Sequence, residues 1–129
     1  MRRRNVKNAK QRVESHPELV ILNPKEYKGK WKSLFNNDNP IYIEIGMGKG
    51  DFIINNAIQF PNINFIGIEK YDSVIARAIQ KSNDLELYNL ILIRLDALQI
   101  NEIFAKEIDK IYLNFSDPWP KDRHAKRRL

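Results

Sequence analysis

The stretch "EIGMGKGDF", residues 44–52, decides the fold. Its three glycines, Gly46, Gly48 and Gly50, alternate with other residues between an apolar run and a helical pattern. Glycine lacks a Cβ atom, so it suits tight turns and places where the backbone approaches a ligand closely. The stretch therefore predicts a strand-to-helix turn, which is either a ligand-binding loop or an ordinary tight turn.

Strand-like and helix-like segments alternate after this turn. Helical patterns at 50–60, 72–84 and 97–107 separate short apolar runs, and Asp72 is a predicted N-cap. The strict alternation predicts βαβ units and a parallel sheet, an α/β fold. The runs, rich in Ile, Phe and Tyr, predict four buried strands: "IYIEIG" (41–46), "INFIGIE" (63–69), "LILIRL" (90–95) and "KIYLNF" (110–115).

The order of these strands predicts where a ligand binds. Right-handed crossovers place the second and third predicted strands on one side of the first, and a doubly wound pattern returns the fourth to its other side. Ligands of such sheets bind at the carboxyl ends of the strands, where the order reverses. Residues 46–50 and 114–117 are therefore expected to line one crevice.

Three acidic residues lie beside the ends of the predicted strands. Glu44 precedes the glycine loop, Glu69 ends the second strand and Asp96 ends the third. In these places Glu69 is suited to accept hydrogen bonds from ribose hydroxyls, and Asp96 from an adenine amino group. The alternative is that each acid caps a neighbouring helix. The G-x-G-x-G spacing differs from the dinucleotide fingerprint, which disfavours a nicotinamide oxidoreductase, and no Walker motif occurs.

Composition and charge further restrict the kinds of site, location and partner that the chain is expected to have. The 129 residues include no cysteine, which excludes disulfides and thiolate metal sites. No apolar run approaches the length of a membrane span, and none follows the basic N-terminus as in a secretory signal, so a cytoplasmic location is expected. The net charge of +6 is concentrated at both ends, residues 1–13 and 121–129. These ends predict either a polyanionic partner or solvated tails.

The stretch "EIGMGKG" (44–50) resembles motif I of class I S-adenosylmethionine-dependent methyltransferases. Over essentially all of its length the chain resembles the first part of a bacterial tRNA (guanine-N7-)-methyltransferase. That resemblance implies a Rossmann-like fold and methyl transfer from S-adenosylmethionine to N7 of a guanine in the tRNA variable loop. It is carried by "NPIYIEIGMGKGDF" (39–52), "NFIGIEKYDSV" (64–74) and, most specifically, "YLNFSDPWPKDRHAKRRL" (112–129).

The resemblance also implies roles for individual residues. Asp117 is the expected catalytic residue, because a carboxylate can stabilise the positive charge that methylation places on the purine. Lys121 is expected to contact the target nucleotide, whereas Asp122 stands where the family usually has a basic residue. The expected cofactor-binding residues are Glu44, Gly46, Gly48, Gly50, Glu69, Asp96 and Asp117. The expected RNA-binding residues are Arg123, His124, Lys126, Arg127 and Arg128, and no metal site is expected.

The family continues beyond "KRRL" with a helix and further strands, so a C-terminally truncated chain is expected. The fourth predicted strand would then be an edge strand, open to pairing with another chain. Residues 1–39 are expected to form a basic arm and irregular lead-in with one short helix, and residues 40–129 a partial S-adenosylmethionine-binding domain. Two alternatives are a non-catalytic remnant that binds cofactor or RNA and an exocyclic amino methyltransferase, whose D-P-P-Y element "SDPWP" loosely resembles.

Overall fold

A computed structural model describes residues 19–82 and 85–114. The basic arm and the expected residues Asp117, Lys121, Arg123, His124, Lys126, Arg127 and Arg128 lie outside the described residues. The strands are β1 (Val20–Ile21), β2 (Ile41–Ile45), β3 (Asn64–Glu69), β4 (Leu90–Arg94) and β5 (Lys110–Leu113). The helices are α1 (Trp31–Phe35), α2 (Asp51–Gln59) and α3 (Asp72–Ser82), with 3-10 helices at Pro24–Tyr27 and Ala97–Glu102. Within this part of the chain, no helix is long and apolar enough to cross a membrane.

The described strands form one sheet in the order β1-β4-β3-β2-β5, and every neighbouring pair is parallel. The predicted α/β fold and strand order are confirmed: β3 and β4 lie on one side of β2, and β5 lies on the other. This arrangement brings the carboxyl ends of β2, β3 and β5 together beside the glycine loop. The strand β1, which pairs with the far edge of β4, was not predicted.

Apolar side chains on the two faces of the sheet form two core layers. Helices α2 and α3 cover one face, where Ile53 and Ile75 pack against Phe65 and Leu92. On the other face, Trp31 of α1 packs with Ile43, Ile66 and further apolar residues of the central strands. Since β2, β3 and β4 are covered on both faces, their sequences are nearly continuous apolar runs.

The helix predicted over 97–107 is wrong. A 3-10 helix ends at Glu102, and the chain then places Ile103 and Phe104 in the core. The Glu107 carboxylate accepts a hydrogen bond from the backbone N–H of Ala105 at 2.9 Å, so residues 105–107 form a turn. None of residues 97–102 is buried, and a helix without a buried face gains little from packing.

Two smaller predictions, the N-cap of α3 and the burial of the fourth predicted strand, are also wrong. Asp72 is the first residue inside α3 and not its N-cap, since the carbonyl of Tyr71 accepts the first helical hydrogen bond, from Ile75. The fourth predicted strand, β5, is an edge strand among the described residues, as expected, but it is not buried on both faces. Lys110 and Ile111 are exposed, and the two residues that follow are half-buried.

Close packing at Gly50 predicts a sensitive position. Gly50 has φ +86°, and a Cβ atom there would lie 3.0 Å from Cβ of Ala78 in α3. Gly48 has φ +60°, with nothing within 4 Å of an added Cβ. We expect Gly50→Ala to lower the free energy of unfolding by about 2 kcal/mol, and Gly48→Ala by about 1 kcal/mol, because only the first adds crowding to backbone strain. Urea unfolding of both variants checks this, and equal losses would contradict it.

Candidate functional site

The glycine loop is held by the end of the neighbouring strand. Gly46, Gly48 and Gly50 have φ values of 78°, 60° and 86°, a conformation that favours glycine at each position. The backbone N–H groups of Gly46 and Met47 both donate to the carbonyl of Ile68, at 2.9 and 3.0 Å. The open space beside Gly48 leaves its backbone accessible to a ligand. The prediction of a tight strand-to-helix turn is confirmed.

Glu69 ends β3 and contacts the same loop. Its Oε1 accepts a hydrogen bond from the backbone N–H of Gly48 at 3.1 Å. Its own carbonyl accepts from the N–H of Leu95 at 3.1 Å, which joins it to the end of β4. The Glu69 carboxylate therefore positions the glycine loop, a contact that the sequence did not predict. Its expected contact with a ribose stays a prediction.

Glu44 is fully buried near the carboxyl end of β2, between Gly67 of β3 and Tyr112 of β5. Its Oε2 accepts a hydrogen bond from the side-chain amide of Asn114 at 3.0 Å. Its Oε1 has no hydrogen-bond partner among the residues that the structure describes. Burial, which disfavours the charged form, raises the pKa of Glu44 from 4.5 to about 7; the Asn114 bond opposes the rise and the nearby charge of Glu69 adds to it.

Asp96 caps the 3-10 helix that follows β4. Its side chain accepts a hydrogen bond from the backbone N–H of Leu98 at 3.0 Å. The capping alternative is therefore confirmed for Asp96, whereas neither Glu44 nor Glu69 makes a helix cap in the described contacts. An expected contact of Asp96 with an adenine stays a prediction.

Ion pairs hold the helices that begin at this edge of the sheet. Arg94, at the end of β4, donates to the Asp72 carboxylate in the first turn of α3 at 2.7 Å. Lys81 of α3 pairs with Asp51 in the first turn of α2, and this hydrogen bond lowers the pKa of Asp51. Both helix starts are thereby fixed beside the loop.

The structure thus brings Glu44, Glu69 and the three glycines together, and places Asp96 two residues beyond the end of β4. It adds Asn114, which was predicted to line the crevice but not to be a site residue. In the described part of the chain, no group of three or more His, Cys, Asp or Glu residues could hold a metal ion. The described site presents carboxylate acceptors and a backbone loop, which suits a ligand rich in hydrogen-bond donors.

Comparison with known proteins shows what the chain is similar to. A family model described as "Putative methyltransferase" matches residues 38–129. Curated relatives named tRNA (guanine-N(7)-)-methyltransferase match the whole chain. Those of Lachnoclostridium phytofermentans and Geobacillus sp. are 56% and 55% identical to it, and the chain covers 60% and 59% of their lengths. The relative of Streptococcus uberis is 50% identical, with 62% of its length covered. The chain spans about three fifths of the length of these relatives.

Two solved structures share the fold. A 30S ribosomal A1408 methyltransferase from an uncultured bacterium aligns with 66% of this chain and 42% of its own, at a TM-score of 0.53 and 24% identity. An antibiotic-related methyltransferase aligns with 74% of this chain and 49% of its own, at a TM-score of 0.57 and 22% identity. At these identities the likeness concerns the fold alone, and it agrees with the predicted Rossmann-like class.

Proposed function

The chain belongs to the family described as "Putative methyltransferase", and from this premise we propose that it acts as an S-adenosylmethionine-dependent tRNA (guanine-N7-)-methyltransferase. The observation that carries the proposal is the match of the whole chain to curated relatives of that name. The substrate is a guanine in the variable loop of tRNA, and the expected location is the cytoplasm. Because the chain spans only part of those relatives, the activity of the 129 residues themselves is the first thing to measure.

The residues at the glycine loop fit S-adenosylmethionine. This cofactor carries an ammonium group, ribose hydroxyls and an adenine amino group, all of which donate hydrogen bonds. The site offers a buried Glu44 oxygen without a partner among the described residues, and space beside Gly48 where the backbone is accessible. Glu69 would hold the ribose and Asp96 the adenine, both at strand ends. When bound, the cofactor supplies an electrophilic methyl group on its sulfonium.

Methylation at N7 requires little from the protein beyond orientation of the guanine base. Guanine N7 presents a lone pair at neutral pH, so the protein needs no strong base and must hold the base in line with the methyl group. We assign to Asp117 the stabilisation of the positive charge that develops on the purine, and to Lys121 a contact with the target nucleotide. Both assignments follow from the sequence motif, since both residues lie outside the described part of the chain.

The proposed activity is tested by incubating the purified chain with unmodified tRNA and S-adenosylmethionine and analysing the nucleosides. N7-methylguanosine in the variable loop supports the proposal. Cofactor binding without any methylated nucleoside would support the non-catalytic alternative. Methylation at an exocyclic amine would support the second alternative. A parallel incubation with Asp117→Ala, which we expect to be inactive, shows whether the methyl transfer belongs to this chain.

The contacts of Glu69 predict how its replacement weakens cofactor binding. Glu69→Ala removes the expected ribose acceptor and the hydrogen bond to Gly48, so we expect a loss of about 1–3 kcal/mol in binding free energy. Glu69→Gln keeps an oxygen that can accept from Gly48, so the loss should be smaller. Calorimetric titration with S-adenosylhomocysteine checks this. Glu26→Ala, at an exposed glutamate of the first 3-10 helix, is the control. Unchanged affinity in Glu69→Ala would reject the assignment.

The basic C-terminal segment predicts salt-dependent tRNA binding. We assign the phosphate contacts to Arg123, His124, Lys126, Arg127 and Arg128, in addition to the N-terminal arm. Replacing Arg127 and Arg128 by Ala should reduce the slope of log affinity against log salt by about one for each phosphate that the variant no longer neutralises. Filter binding from about 50 to 300 mM salt measures the slope. A double variant with the parent slope would mean that these residues are solvated tails.

Because β5 is an edge strand among the described residues, we further propose that this edge pairs with another chain. An edge strand presents unpaired backbone groups on one side, and exposed Ile111 adds apolar surface there. Light scattering of the purified chain across a range of concentrations measures association.

We also propose that the cofactor binds within residues 40–129 and that residues 1–39 form a lead-in to that domain.

A further inference from the structure

Asn114 is the residue through which the end of β5 contacts the buried acid of the site. Its backbone N–H donates to the carbonyl of Ile45 at 3.0 Å, and its side-chain amide donates to Glu44 Oε2 at 3.0 Å. The two bonds anchor one residue to adjacent positions of β2, on the backbone and on a side chain. Such double anchoring fixes the side-chain amide with little freedom to turn away.

The consequence lies in what remains of the Glu44 carboxyl group. A carboxyl group has two oxygens, and Asn114 engages one of them. The other is buried and without a hydrogen-bond partner in the part of the chain that the structure describes. A buried polar atom without a partner is costly, and native proteins usually satisfy it with a ligand, water or another group. The Asn114 bond therefore determines which oxygen is left for that ligand.

We propose that Asn114 is a positioning residue for cofactor binding: its amide orients the Glu44 carboxyl group so that the second oxygen accepts from a cationic donor of the ligand. The inference rests on the proposed function for the identity of that donor, an ammonium group. Asn114 itself need not touch the cofactor.

The surroundings of Glu44 make its charge sensitive to this one bond. Among the described residues, the titratable groups on the elements around it are Glu69 at the end of β3, Lys110 and Tyr112 on β5, and Lys49 and Asp51 at the start of α2. Asp51 is paired with Lys81, and Glu69 is the neighbour whose charge raises the pKa of Glu44. The amide of Asn114 opposes that effect because it stabilises the ionised carboxylate. Without it, none of the causes known from the described residues would oppose the effects of burial and Glu69 on the pKa of Glu44.

The first measurement concerns the ligand-free protein. With ¹³C-labelled glutamate, the Glu44 carboxyl signal is followed by NMR against pH in the parent chain and in Asn114→Ala. We expect the midpoint to rise by about one pH unit in the variant, because a hydrogen bond to the charged form is lost. The control is Asn55→Ala, an exposed asparagine on α2, which should leave the midpoint unchanged. An unchanged midpoint in Asn114→Ala would overturn the proposal.

The second measurement concerns affinity for S-adenosylhomocysteine between about pH 6.5 and 9. We expect Asn114→Ala to bind about fivefold more weakly at pH 7, with the deficit shrinking as Glu44 ionises at higher pH. A deficit that stays constant with pH would mean that Asn114 only supports the fold, and would overturn the proposal. In a Glu44→Gln background, the Asn114→Ala effect should lose its pH dependence. If the parent chain binds no cofactor, the proposed function fails, whereas the NMR result still decides the role of Asn114.

Discussion

The free energy of unfolding of the chain is expected to fall by about 3 kcal/mol as pH rises from about 4 to 8, because Glu44 is buried. The pKa of this carboxyl group lies at about 7 in the folded chain, against an ordinary value of 4.5. Its side chain is fully buried, and one oxygen has no partner among the described residues. An ionised carboxylate in this place loses its hydration, and among the described residues it regains only the Asn114 bond.

The direction follows from proton binding in the two states. Between pH 4.5 and about 7 the folded chain holds a proton on Glu44 that the unfolded chain has released. Stability therefore decreases as pH rises through this window, and its contribution is fully present only below the unfolded pKa. Above the folded pKa the carboxyl group is ionised in both states and the dependence on Glu44 ends.

Urea unfolding of the parent chain and Glu44→Gln across this pH range measures the effect. The glutamine variant carries no titrating group at position 44, so the difference in stability between the two proteins should grow in favour of the variant as pH rises. Glu26→Gln removes an exposed glutamate and should follow the parent curve. If the parent and Glu44→Gln curves stay parallel over pH 4–8, Glu44 does not titrate in this window.

The central sheet was predictable because its signal is local. The runs at β2, β3 and β4 are nearly all apolar, and the patterns between them predict the crossovers. Right-handed crossovers together with the doubly wound pattern then predict the strand order. The glycine loop was predictable for the same reason, since alternating glycines after a strand have few structural uses.

The outer parts of the fold were not predictable because tertiary contacts decide them. The strand β1 has only two residues, Val20 and Ile21, and gains its structure from pairing with β4. The region 97–107 has helical periodicity. Nevertheless the 3-10 helix ends at Glu102, and the next two residues, Ile103 and Phe104, are buried in the core. Periodicity predicts the type of an element and its apolar face. It does not predict which other element that face will pack against.

In the site, the sequence identified the acids but not their mutual contacts. The sequence placed Glu44 just before the glycine loop and Glu69 at the end of a predicted strand. The hydrogen bond from Gly48 to Glu69, which spans 21 positions, depends on the loop's exact path. Asn114 was placed at the crevice but was given no role, because asparagine after an apolar run is an ordinary signal for a turn. Its bond to Glu44, 70 positions away, requires β5 to lie beside β2.

Replacing Trp31 is expected to cost about 3–5 kcal/mol of stability, a large share of the 5–15 kcal/mol typical of a domain. Trp31 lies in the lead-in yet is fully buried, and its ring packs 5.4 Å from that of Phe104. Its indole N–H donates to the carbonyl of Ile103 at 2.7 Å. Urea unfolding of Trp31→Ala should show this loss, whereas Trp31→Phe keeps a smaller aromatic ring without the N–H and should lose less.

The same contacts predict that residues 40–129 do not fold when residues 1–39 are removed. The cut takes away Trp31 and its backbone N–H, which donates to Glu107 at 3.2 Å, and also the partner of the outer edge of β4. The apolar face formed by Ile43, Ile66 and Ile103 would be open to water. Circular dichroism of the shortened chain tests this. A cooperative unfolding transition with the parent's midpoint would show that the lead-in contributes nothing to the core. In that case Trp31→Ala should also leave the unfolding midpoint unchanged.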